Sequence, residues 1–523
     1  MRKIQKFQSI LAVCISLCLG IGGGWKEPLK KVRAAQKEAR YLTEIEVNAE
    51  VKDSYSDSGK YDQNFYKKID SEYGTNYTSS AQPLVISNEG ELAAFAKAVN
   101  DGKSFEGKYI KLMKDMDLKG DMPSVQKIVS GNKYKLVIGN LSGQAAQKIS
   151  NVWNPVGTWK NPFKGSFDGN NKKLKGMVVL SESSDQDYSG FFGSVSEESI
   201  KNLNIEKGCV ISKHEVSFPN AGGLVGKNSK GTVNNCYFSG IVAASTGRGL
   251  PSIGGLAGHN DGTIENSGSS AEVFCYNTDT SMSNSWGGGL TGYNNGGIIR
   301  NCRATGDVAV WSEVLSIAGG LTAYNSRGTI EKSYAAGDIS SYTFNSTKVL
   351  AGGLVAENYG PLKSCLATGN VAAAIDYSGT NKSVSYAGGL TGENIYATGK
   401  IEESCATGNV SSLNSDTTTA YGGGLVGSNN QKAQIKNSCA AGSVSGASYG
   451  GGLAGENKDD SSVIENSYAV GDVSALNAGG LVSRQEGGTI SGCYRNSKAR
   501  VAVSGDLNQE GNAVTPEQMT GTG

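Results

Sequence analysis

The chain has 523 residues, 49 basic against 48 acidic, with 38% apolar residues and 73 glycines beside 9 prolines. Charges scattered along the chain, with no stripe or run, argue against nucleic acid as a partner, and so glycine-rich and apolar-poor a composition argues against a helix-rich α/β enzyme. What remains is disorder or a turn-dense β-fold, and the regular spacing of Val, Ile and Leu further along favours the β-fold.

At the start, Arg2, Lys3 and Lys6 precede an apolar run from Ile10 to Ile21. The run is too short to span a bilayer comfortably, so residues 1–35 are expected to be a secretory signal peptide with a small-residue cleavage site near Val32–Ala35; an uncleaved anchor is the alternative. No convincing Leu-x-x-Cys signature precedes Cys14 or Cys18, which speaks against a lipoprotein. Residues 36–82 are polar and tyrosine-studded without a sustained period, and are expected to form a poorly ordered linker.

Residues 83–190 are expected to hold an N-terminal cap helix and the first rungs of a solenoid. Ser87 or Asn88 can cap a helix, Glu91 follows Asn88 by three residues, and Leu92, Phe95, Ala96 and Val99 fall on one helical face that stops near Gly102. Such a helix suits the first open edge of a stacked sheet, whose unpaired backbone groups would otherwise recruit another chain.

Self-similarity dominates residues 191–498. Gly-Gly-Leu recurs with its Leu at 224, 256, 290, 321, 354, 390, 425, 453 and 481, in steps of 28 to 36, and Phe192 marks a weaker earlier copy. Four residues after the Leu stands Asn (228, 260, 294, 325, 358, 394, 429, 457), then an apolar residue such as Val233 or Ile264, then a small Ser or Cys, then Ala-x-Gly-Asp/Asn-Val. A unit of this size with such short strands cannot bury its faces alone. Coiled in parallel, each slot lies above the same slot of the next copy: aliphatic columns make a dry core, and asparagines pass amide hydrogen bonds from rung to rung. The fold expected is all-β, a parallel β-helix with an N-terminal capping helix. The last copy carries Gln485 and a polar Arg495–Lys498 stretch, as a terminal cap should, and residues 499–523 form a tail.

At these residues the sequence resembles the GLUG-repeat family of bacterial exported and surface proteins, as in AGGLVGKNSKGTVNNCYFSG at 221–240 and GGGLAGENKDDSSVIENSYAVGDVS at 450–474. The segments at 86–102 and 153–177 resemble what precedes such arrays. The resemblance implies a right-handed β-helix on secreted or cell-surface proteins, including adhesin-like proteins and non-catalytic regions of some IgA-specific metallopeptidases, and no shared active site. GNAVTPEQMTGTG at 511–523 resembles a passage that joins an array to further sequence, so a shortened product or fragment is expected.

Chemistry is sparse. His214-Glu215 lacks the second histidine of a zinc helix, because Phe218 stands in its place. His259 occupies the slot before the laddered Asn, and Ser448 in Gly-Ala-Ser-Tyr-Gly falls in a repeat turn. Asp307, Asp338, Asn370, Asn409 and Asp472 share one slot; a calcium ladder is conceivable, and turn chemistry is the simpler reading. Most cysteines swap with Ser as small core fillers, but Cys405 and Cys439 fall in one slot of consecutive copies, at a rung spacing within disulfide reach. The longer inter-strand segments carry Trp311, Tyr342, Phe344 and Tyr377, the expected ligand-facing loops.

No catalytic, cofactor or metal residue is assigned and no cofactor is expected. The function expected is non-enzymatic: a secreted or surface, adhesin-like protein binding host or bacterial glycans or proteins, without nucleic acid and without a transmembrane segment once the signal is removed. A carbohydrate-active β-helix enzyme, or the recognition array of a larger surface peptidase, is the alternative.

Overall fold

The computed structural model describes residues 39–182, 187–281, 284–344, 347–376, 383–414, 419–502 and 512–514. The signal-peptide expectation therefore falls outside the described residues. The chain divides into two compact units: Leu42–Ile298 with Cys302–Gly306, and Ile299–Asn301 with Asp307–Gly523 and the first residues through Tyr41.

The first unit opens with a surprise. The stretch expected to be a poorly ordered linker instead supplies the strand Tyr41–Val51 and a helix α1, Gln63–Glu72. The strand lies in a four-stranded sheet between Lys133–Gly139 and Gln147–Ile149, and Ile45, Val47 and Ala49 are buried on one face. Asp62 caps α1 by accepting from the N–H groups of Asn64 and Phe65 at 2.9 Å each, and Phe65 and Ile69, one turn apart, bury its inner face. Tertiary burial overrides the polar composition here.

The second helix, α2, Glu89–Asn100, forms as its sequence indicates. Asn88 Oδ1 accepts from Glu91 N–H at 2.9 Å, and the Glu91 carboxylate reaches back to Ser87 N–H at 2.6 Å. It links two parallel strands, Leu84–Ile86 and Tyr109–Leu112, the latter pairing with Ser166–Lys175. Phe95 of α2 meets Phe105, Phe163 and Phe167 with ring centroids 5.1 to 6.0 Å apart, closing the core at this end. This is the capping helix.

From there the chain is a parallel β-solenoid whose rungs have three faces. In the first unit the Gly-Gly face stacks Tyr188–Ser189, Asn220–Gly222, Ser252–Gly254 and Asn284–Gly288, and the Asn face stacks Phe192–Ser196, Val225–Ser229, Ala257–Asn260 and Thr291–Asn295. In the second unit the Gly-Gly face runs through six strands from Leu315–Gly319 to Asn477–Gly479, and the Asn face through six from Thr322–Ser326 to Val482–Glu486. Register is slot upon slot, as in Leu350↔Tyr386↔Tyr421↔Tyr449.

Each repeated residue type has its structural cause. The asparagines are fully buried and chained: Asn228 to Asn260 and Asn260 to Asn294, 2.8 Å each, in the first unit, and Asn325 to Asn358, Asn394, Asn429 and Asn457 at 2.9 to 3.0 Å in the second. From Asn228 to Asn429 each amide also donates to a turn carbonyl, such as Gly231 O or Gly328 O. The second glycine of the motif is a close approach: a Cβ on Gly389 would stand 2.1 Å from Gly424 O of the next rung. The Leu columns are completely buried.

Candidate functional site

Two of the expected ligand-facing residues, Trp311 and Tyr342, are buried. Trp311 and Tyr342 are register partners in the strands Val308–Ser312 and Ile339–Thr343, only 3% and 2% exposed. Large aromatics on successive rungs are close enough to bury one another, and Tyr342 also packs on Tyr41 and Phe344 at 5.3 and 5.2 Å. Phe344 is half-buried at the edge of this cluster, and Tyr377 lies outside the described residues. The length of the inserted segments suggested exposure; the pleat turned the rings of Trp311 and Tyr342 onto neighbours.

The other sequence candidates are occupied by architecture. Asp307 Oδ1 accepts from Asp338 N–H, Asp338 Oδ1 from Asn370 N–H, Asn370 Oδ1 from Asn409 N–H and Asn409 Oδ1 from Ser443 N–H, at 2.9 to 3.1 Å. This column is a turn ladder tying side chain to backbone of the next rung. Ser448 Oγ accepts from Ala420 N–H at 3.0 Å, and Tyr449 stacks on Tyr421 at 5.2 Å. His259 pairs with Asp261 at 2.9 Å and packs against Tyr293. Cys405 and Cys439, register partners with Cα atoms 4.6 Å apart, are joined by a disulfide in a buried column with Tyr334, Leu366 and Tyr468.

Two features carry chemistry that the sequence reading did not single out. In the second unit, the slot before the laddered Asn places Glu357, Glu393 and Glu456 on the outer side of the Asn face, 8%, 4% and 2% exposed. Lys348 bridges Glu357, at 3.5 Å, and Glu393. Tyr359 Oη donates to Glu357 at 3.0 Å and Ser428 Oγ to Glu456 at 2.8 Å, while Tyr386, Tyr421 and Tyr449 stack beside them. Burial pushes the Glu393 carboxyl up to about 7 against the pull of Lys348, and raises Glu456 as well. Carboxylates and a base converge here, but beneath packed tyrosines.

The second feature is open. In the first unit a cleft of about 480 Å³, within the size of small-molecule sites, lies between the N-terminal cap and the first rung. Its polar and aromatic lining includes Asn100, Asn154, Trp159, Glu182, Asp187 and Tyr188. Trp159 sits at the tip of a tight turn in which Thr158 N–H donates to Asn161 O at 3.0 Å and Thr158 Oγ1 accepts from Asn161 N–H at 3.1 Å. Gly157 enters the turn at φ +80, where a Cβ would strike Ser194 O at 2.6 Å. Asn100, the last residue of α2, anchors the loop by accepting from Gly157 N–H at 2.8 Å and donating to Pro155 O at 3.0 Å. The indole is thereby held 61% exposed, with Lys160 Nζ 5.4 Å from its ring centroid.

The cleft is electronegative. Among the described residues its lining includes Glu182 and Asp187 and no Lys or Arg. Glu182 makes no hydrogen bond or ion pair among the described residues, and Asp187 accepts from Ser217 Oγ. Burial and the nearby Asp187 and Asp261 carboxylates push the Tyr188 hydroxyl up. Behind the wall, His214 Nε2 meets Ser212 Oγ at 2.9 Å and Ser181 Oγ at 3.5 Å, and burial holds the imidazole below its ordinary range, so it adds no positive charge near neutral pH. Sequence reasoning passed over Trp159 because it lies outside the repeats; a tryptophan between Gly157 and Asn161-Pro162 was the available signal for an exposed turn.

Stacked short rungs with laddered asparagines define a parallel β-solenoid repeat protein. The chain carries the GLUG motif: the model of that family matches residues 219–243 and 287–309. Motif and solenoid together fit a surface repeat protein. A solved Bacteroides ovatus structure described as a "putative immunoglobulin A1 protease" is similar at 14% identity, with 84% of each chain covered and a TM-score of 0.24. No curated protein matches the chain.

Proposed function

We propose that this chain is a secreted or cell-surface, adhesin-like repeat protein that binds glycans without transforming them. The observation that carries the reading is the exposed Trp159 indole held at a cleft with amide and carboxylate walls, since a flat aromatic face with convergent hydrogen-bonding groups is suited to a sugar ring. The repeat slots support it from the other side: their Asn, Asp and Ser side chains hold one rung to the next. The stacked carboxylates Glu357, Glu393 and Glu456, beside which a lysine also lies, are almost fully buried, out of reach of a polysaccharide chain.

A glycan-array screen of the full chain beside a polysaccharide depolymerisation assay tests the reading. Glycan binding without loss of polymer length is expected, with signal lost in Trp159→Ala. Depolymerisation by the purified chain, or an array without any bound glycan, overturns it.

A further inference from the structure

The charge of the cleft narrows the ligand. Glu182 and Asp187 stand on its wall, and Lys160, the nearest described cation at the Trp159 turn, lies over the indole face. Indole and phenol faces attract cations, and carboxylates in a partly enclosed site attract them more strongly than carboxylates in bulk water. An acidic sugar would bring a third carboxylate into this field and be repelled by it. A neutral sugar would stack on Trp159 while leaving Glu182 without a charged partner.

Resting on the glycan-binding reading above, we propose that the Trp159 cleft selects glycans bearing a free amino group: the sugar ring lies on the Trp159 indole and its ammonium is met by Glu182 and Asp187. Lys160 is then displaced from the indole or retained on the opposite face. Asn100 acts through the loop it holds and is a positioning residue, not a contact. Asp187 is tied to Ser217, which orients its carboxylate, so Glu182, exposed and without a partner among the described residues, is the residue on which selectivity turns.

The test is titration of the full chain with three oligosaccharides of equal length, built from glucosamine, N-acetylglucosamine and galacturonate, at about pH 6, where an unperturbed carboxylate is charged and a sugar amine is substantially protonated. Binding is followed by calorimetry and by the change in tryptophan fluorescence. The amino oligomer is expected to bind about tenfold tighter than the N-acetylated one, the acidic one not measurably, and the preference to shrink with added salt. Glu182→Gln is expected to abolish the preference, bringing the amino oligomer's affinity to within about twofold of the N-acetylated one's in the same variant, and Trp159→Ala to weaken both; circular dichroism of each variant confirms that it is folded.

Equal binding of the amino and N-acetylated oligomers, or a preference that survives in Glu182→Gln, overturns the amino-sugar selectivity and leaves the glycan-binding reading standing. Tight binding of the acidic oligomer does the same. Failure of all three, with an array also blank, removes both together.

Discussion

Replacing Asn394 by Ala is expected to lower the stability of the second unit by about 4 kcal/mol, because each buried polar partner left unmatched costs about 1–3 kcal/mol. Asn394 Nδ2 donates to Asn429 Oδ1 at 3.0 Å and to Gly399 O at 3.1 Å, and its Oδ1 accepts from Asn358 Nδ2 at 2.9 Å. Truncation leaves all three without that partner, in a site with no exposed surface. In a solenoid the loss is felt most by the rungs on either side, so it should appear in denaturant titration and as faster amide exchange around Asn358 and Asn429. Lys400→Ala, in the same copy but exposed, is expected to change stability by less than about 0.5 kcal/mol. Equal effects of the two variants would mean that the ladder contributes nothing.

The second large effect depends on pH. Glu393 is raised from its ordinary value to about 7 in the folded chain, so between about pH 4.5 and 7 the native state holds a proton that the unfolded state has released. Stability from this group therefore falls as pH rises through that window. Glu393→Gln keeps the neutral shape and removes the titration. The variant is expected to match the wild type near pH 4.5 and to exceed it at pH 8, as read from denaturation midpoints across pH. Glu456, raised in the same direction, and Lys348 both interact with Glu393, so the expected result is the sign of the pH-dependent difference. A difference independent of pH would contradict the assignment.

Much of the solenoid was legible because a chemical type repeated at a fixed slot can serve only a function that also repeats. The Gly-Gly-Leu and Asn columns are of this kind, and so is the Asp/Asn column, whose turn role was the simpler of two readings until its side chains were seen accepting from the next rung. The capping helix was legible for a local reason, the pairing of Asn88 with Glu91. The strand Tyr41–Val51 carried a period-two signal, Ile45, Val47 and Ala49 against Glu46, Asn48 and Glu50, but one so short that the polar composition around it outweighed it. Its order comes from pairing with Gln147–Ile149, nearly a hundred residues away, which no local pattern announces.

The candidate site was least legible. Trp311 and Tyr342 were sought as exposed aromatics because insertions in solenoids map to one face, yet strand pairing brings them within reach of each other and buries both. Trp159 escaped notice because it occurs once. A cleft assembled from α2, one turn and the first rung has no period to betray it, and Glu182 and Asp187 acquire meaning only when the fold sets them beside an indole. The buried Glu357, Glu393 and Glu456 share a slot that elsewhere holds Lys, Tyr or Ser, so the convergence of Glu357 and Glu393 on Lys348 is likewise a product of stacking.

All of this depends on equivalent slots of successive copies lying in register, and Cys405 with Cys439 reports on that directly. Peptide mass mapping of the mildly oxidised chain under non-reducing conditions should recover the two in one linked pair, while Cys209, Cys236, Cys275, Cys302, Cys365 and Cys493, all buried and outside the disulfide, remain reduced. Free thiols at both 405 and 439, or either residue linked to a different cysteine, would contradict the stacking.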